Sequence, residues 1–96
     1  MKPSESLHRH RDAVLSIARR HHAERVRVFG SVGRREDREG SDLDLLVDFD
    51  GEASLFDVFA LQEELEALLG QRVEVATPAG LHGLIRARVL REARPL

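Results

Sequence analysis

Ninety-six residues, 42% hydrophobic and 33% charged, give one domain with one modest core and are too apolar for disorder. A formal net charge of -2 excludes a uniformly basic nucleic-acid binder, and no apolar run is long enough to span a bilayer. Cysteine is absent, which removes disulfide and thiolate chemistry; the N-terminal MKPSESLHRH has no signal-peptide core, so the cytoplasm is the expected compartment.

In chain order, Ser4 or Ser6 is the candidate cap of a first helix reaching about His22, with Leu7, Val14, Ile17, Ala18 and His21 on one face. Arg25 to Phe29 alternates and is valine-rich, the pattern of a strand that Gly30 ends. Ser31 to about Asp37 reads as a short helix and Arg38-Glu39-Gly40-Ser41 as a turn. Asp42 to Phe49 (DLDLLVDF) is a second strand, closed by Asp50-Gly51. Ser54, with Asp57 three residues on, forms a capping box for a long helix that Gly70 stops. Its expected inward stripe is Leu55, Phe56, Phe59, Leu65, Leu68 and Leu69. Arg72 to Ala76 is a third strand, Thr77-Pro78 breaks it, and Leu81 to about Ala93 is a last helix with Leu84, Ile85 and Leu90 inward.

The order is αβαβαβα in a single domain spanning residues 1–96. A full helix between the second and third strands suits a parallel crossover, whereas the dozen residues between the first and second favour an antiparallel pair. The expected fold is α/β (α+β): a small mixed three-stranded sheet backed by helices, with exposed edges that a partner would cover.

The chemistry concentrates in the second strand. Residues 1–38 hold ten Lys or Arg against five acids, residues 39–76 one Arg against eleven acids, and residues 77–96 four Arg against one acid. An acidic middle with basic flanks points to a cation site beside an anion-binding surface. Alternation along a strand puts Asp42 and Asp44 on one face, roughly 7 Å apart, and Leu43 and Leu45 on the other. Two such carboxylates suit a divalent cation between them, and Glu74, flanked by Val73 and Val75, becomes a third ligand if its strand lies alongside. All-oxygen ligands favour magnesium or manganese over zinc. A metal commonly arrives bound to a nucleoside triphosphate, for which Gly30-Ser31 offers close backbone approach, free N–H groups and a hydroxyl, with Arg34 or Arg35 in reach of a phosphate oxygen.

Gly30-Ser31, ten residues, Asp42-Leu43-Asp44 and a later acid in Val73-Glu74-Val75 together resemble the nucleotidyltransferase superfamily related to DNA polymerase beta, and most closely its minimal nucleotidyltransferases. The resemblance extends to the helix before RVFGS, to ASLFDVFALQEELEALLGQRVEVATPAGL and to IRARVLREARPL. It implies a nucleotidyltransferase-like fold, Gly30, Ser31 and Arg34 at the nucleotide, and Asp42, Asp44 and Glu74 as catalytic acids holding two magnesium ions, with manganese an alternative. Glu74 stands where close relatives commonly carry aspartate, and Gly33 where alanine is frequent.

The resemblance also implies a function. Minimal nucleotidyltransferases are encoded beside HEPN-domain RNases, and can act as antitoxins by moving AMP from ATP onto a tyrosine of the toxin. A HEPN toxin and a nucleoside triphosphate are therefore the expected partners, with no membrane and no direct nucleic-acid binding. A contact-only antitoxin with weak or vestigial catalysis is the alternative; transfer to a small molecule such as an aminoglycoside ranks lower because no substrate domain is visible. P-loop and dinucleotide motifs are absent, and an EF-hand loop starting at Asp48 fails because Phe59 stands where it needs its glutamate. His8, His10, His21, His22 and His82 have the spacing of solvated or capping residues.

Overall fold

The Val/Arg alternation of residues 25–29 lies in the middle of a four-stranded sheet in the computed structural model, which describes residues 1–96. The elements are α1 (Pro3–Arg9), α2 (Arg11–Arg20), β1 (Ala23–Phe29), α3 (Gly30–Gly33), β2 (Leu43–Phe49), α4 (Leu55–Leu69), β3 (Val73–Ala76), α5 (Gly83–Glu92) and β4 (Arg94–Pro95), with a 3-10 turn at Pro78–Gly80. The sheet order is β3-β2-β1-β4. β1 and β2 are antiparallel and β2 and β3 parallel, as the connection lengths require. The sheet has one strand more than expected: the C-terminal Arg94–Pro95 runs antiparallel to β1, with Arg27 opposite Pro95 and Val28 opposite Arg94.

Strand alternation sorts the two faces. Val26 and Val28 of β1 and Leu43, Leu45 and Val47 of β2 bury against Val14, Ile17 and Ala18 of α2 and Leu61 and Leu65 of α4. The opposite face carries Asp44, Leu46 and Asp48. Leu46 is fully buried there, and Val89 of α5 is buried outside the main cluster.

Five expectations need correction. The first helix is broken at His10, whose backbone leaves helical geometry (φ -107°, ψ 19°) while both its N–H and its ring Nδ1 lie 3.0 Å from the Ser6 carbonyl. Neither Ser4 nor Ser6 caps it: Lys2 holds the cap position and Pro3 opens the helix. In α4, Leu55, Phe56 and Phe59 face solvent, Phe56 at 86% exposure, and Leu61 takes the buried place beside Leu65. In α5, Leu84, Ile85 and Leu90 are exposed and Val89 is buried, so this helix turns a mixed polar face inward. The expected Ser31–Asp37 helix stops at Gly33, because Arg35 adopts left-handed backbone (φ 61°) and the N–H of Glu36 returns to the Ser31 carbonyl.

The sheet edges are closed from within rather than left for a partner. The outward N–H groups of Val73 and Val75 donate to Glu66 Oε2 (3.0 Å) and Gln62 Oε1 (3.1 Å) of α4. On the other side β4 and the Leu96 N–H, which donates to the Val26 carbonyl, cover β1 and leave an edge only two residues long.

Asp37, buried in the loop after α3, accepts from the Ser4 N–H (Oδ2, 2.9 Å) and so caps α1 from 33 residues away. Burial raises its pKa, but the Ser4 hydrogen bonds and the nearby Lys2 outweigh burial and hold it below the ordinary value. A depressed carboxylate pKa stabilises the fold above the unfolded value and loses that contribution as pH falls through the folded one. Asp37→Ala is therefore expected to lose roughly 1 kcal/mol in urea unfolding at pH 7 and much less at pH 3. Equal stabilities of the two proteins at pH 7 would rule this cap out.

Candidate active site

The end of β1 and the start of β2 meet because the pair is antiparallel: Phe29 lies opposite Asp44. Gly30 follows with φ +66°, and a Cβ on it would overlap the Asp44 carboxylate. Only glycine satisfies both conditions, the left-handed backbone and the missing side chain. The Gly-Ser turn and the acid are thus packed directly on each other across fourteen positions of sequence.

The first N–H groups of a helix have no partner within it, and α3 offers them beside the Ser31 hydroxyl. With four residues, α3 has little macrodipole, so any anion at this turn would be held by individual N–H groups rather than by a helix end. Its far end is tied down from β4: Arg94 donates to the carbonyls of Gly33 (Nε, 2.8 Å) and Val32 (Nη2, 3.0 Å).

These residues line a cleft of about 380 Å³ formed by Phe29, Gly30, Ser31, Arg34, Ser41, Asp42 and Asp44, with Ile85, Arg88, Val89 and Glu92 of α5 as its far wall. Of the two arginines the sequence left open, Arg34 faces the cleft and Arg35 does not. Asp42 sits just before β2 rather than within it and is exposed; Asp44 is half-buried. Glu74 lies opposite Asp44 in the parallel β2–β3 register, but it is exposed and outside the cleft lining. Except for Ile85, the α5 wall escaped the sequence reading. Its signal was the 85, 88, 89, 92 spacing of one helix face, masked by the more apolar Leu84 and Leu90.

Burial is the main cause that pushes the Asp44 pKa up, followed by repulsion from Glu74 and from Asp42; Arg34 partly offsets them. Three carboxylates thus sense one another, although no three His, Cys, Asp or Glu side chains close into a metal cage. Magnesium rarely takes an all-protein cage, and is held by one or two carboxylates together with substrate phosphates. Hard oxygen donors that repel one another beside a phosphate-sized turn fit such an ion.

A nucleotidyltransferase domain model matches residues 7–96. A relative named "Putative protein adenylyltransferase" from Methanocaldococcus jannaschii is 41% identical over 80 residues, 83% of this chain and 86% of its own length. The protein adenylyltransferase MntA of Thermococcus cleftensis is 48% identical over 67 residues, 70% of this chain and 68% of its own. A solved structure described as a "putative minimal nucleotidyltransferase" superposes with TM-score 0.85 at 54% identity, covering 97% of this chain and 95% of that one. A toxin–antitoxin structure with AMP-PNP shares the fold at 15% identity, TM-score 0.74, with 88% and 69% covered.

Because ionised Asp44 is disfavoured in the fold, its raised pKa implies a stability loss above the folded pKa that is relieved as pH falls through it. Asp44→Asn is expected to raise the melting temperature at pH 7 by about 2–5 °C without metal, and magnesium to stabilise the parent protein more than the variant. A variant that melts lower than its parent at pH 7 would contradict this electrostatic account.

Proposed function

Because the chain belongs to the nucleotidyltransferase family, in its minimal form, we propose that it moves AMP from ATP to a hydroxyl of a partner protein, a HEPN-type toxin that it thereby neutralises. The observation that carries this reading is the contact between Gly30 and Asp44, which joins a phosphate-binding turn to a carboxylate pair in one cleft. The protein acceptor is supported by relatives named protein adenylyltransferases, and the toxin by a fold neighbour that is a toxin–antitoxin assembly. Leu55, Phe56 and Phe59 also leave an apolar face in water, a kind of surface that protein partners cover. The proposed use of ATP is in keeping with a cytoplasmic protein.

In the proposed reaction the acceptor oxygen attacks the α-phosphorus in line. The new O–P bond forms as the bond to the bridging oxygen of the β-phosphate breaks, pyrophosphate leaves, and the hydroxyl proton passes to solvent. Asp42, Asp44 and Glu74 would hold two divalent ions, magnesium or manganese, whose chemistry is to neutralise the triphosphate and acidify the attacking hydroxyl. Ser31 and the N–H groups of α3 orient the phosphates, and Arg34 neutralises an oxygen on their other side. Gly30 keeps the backbone close enough for these donors to reach.

The exposed position of Glu74, outside the cleft lining, favours a second reading: a contact-only antitoxin with weakened catalysis. Labelled ATP, magnesium and the product of the neighbouring gene separate the two. Under the transfer reading label appears on the partner, and Asp44→Asn lowers the rate at least about 100-fold while the domain stays folded. Tight association without label supports the contact-only antitoxin, and unchanged turnover in Asp44→Asn refutes the site.

A further inference from the structure

Glu92 is the last residue of α5, where the helix end carries partial negative charge and a carboxylate is disfavoured. Its i,i+4 partner Arg88 lies on the N-terminal side, the weaker order for such a pair. Helix stability therefore does not explain this acid. Its surroundings do: Oε2 lies 3.4 Å from Arg34 and Oε1 lies 3.8 Å from Arg88 Nε, with the Glu92 side chain only 18% exposed. All three side chains line the cleft that holds Ser31, Asp42 and Asp44.

The backbone fixes this arrangement. A Cβ on Gly33 would stand 3.3 Å from the Glu92 carbonyl and 3.1 Å from that of Val28, so α3, β1 and the end of α5 meet with no side chain between them. Arg94, two residues after Glu92, holds the Gly33 carbonyl and binds α5 to the turn. A mostly buried carboxylate on a fixed backbone is thereby shared by two guanidinium groups that are themselves 40% and 64% exposed, Arg34 also donating through Nε to the exposed Glu36 Oε2 at 3.2 Å.

We propose that Arg88 is a second phosphate-binding cation of this cleft, and that Glu92 is a positioning residue that aims Arg34 and Arg88 at the triphosphate. The proposal rests on the nucleotidyltransferase reading, and extends the site from the Gly-Ser turn to α5. Arg88 then serves oxygens beyond the α-phosphate, which ATP has and AMP lacks.

Binding of ATP and of AMP, each with magnesium, to the full chain tests this by calorimetry. Arg88→Ala is expected to weaken ATP about tenfold and AMP less than twofold, and Arg88→Lys to recover most of the loss. Glu92→Gln is expected to weaken ATP about threefold, with a melting temperature close to that of the parent. ATP affinity within twofold of the parent in Arg88→Ala, or equal losses for ATP and AMP, would overturn the role of Arg88. Unchanged ATP affinity in Glu92→Gln, or a loss matched by a large drop in melting temperature, would overturn the role of Glu92. A parent protein that binds no ATP would overturn the nucleotidyltransferase reading, and this proposal with it.

Discussion

The site depends on one contact: the bare Cα of Gly30 lies against the Asp44 carboxylate. Any side chain at residue 30 would collide with the acid and would also resist the left-handed turn. The contact exists because β1 and β2 are antiparallel and in a register that sets Phe29 across from Asp44. It brings N–H and hydroxyl donors and a carboxylate pair within one cleft, the combination that the proposed metal-bound triphosphate requires. The half-burial and mutual repulsion that raise the Asp44 pKa are the stability cost of that juxtaposition.

Around that contact the chain is locked by pieces distant in sequence. Asp37 reaches back to cap α1, Arg94 holds the carbonyls that end α3, and Gln62 and Glu66 satisfy the outer N–H groups of β3. The core lies on one face of the sheet and the acids on the other, so Leu43 and Leu45 anchor the strand whose alternate side chains form the site. A domain this small has little apolar area to spare, and these polar clamps give the site walls their fixed positions.

Much of this was legible in the sequence. The Gly-Ser turn, Asp42 and Asp44 declare themselves through local spacing and strand alternation, and a full-length helix between β2 and β3 dictates their parallel pairing. What escaped depends on contacts between remote segments. β4 is two residues with a proline and has no periodicity of its own; it is a strand only because β1 needs a neighbour. The cleft-facing side of α5 is Ile85, Arg88, Val89 and Glu92, of which only Val89 is buried, and a reading that sends the most apolar residues inward adds Leu84 and Leu90, which face solvent. The exposure of Phe56 and Phe59 has the same origin: capping and composition define α4, but not which of its residues the rest of the chain covers.

The most direct test of this account is the amide spectrum of labelled protein titrated with ATP and magnesium. The account predicts the largest shifts at Gly30, Ser31, Arg34, Asp42 and Asp44, together and with one affinity, with smaller shifts along α5. Shifts centred instead on the separate cleft of Leu7, Arg11, Val28 and Leu96, or no shifts at millimolar ATP, would contradict it.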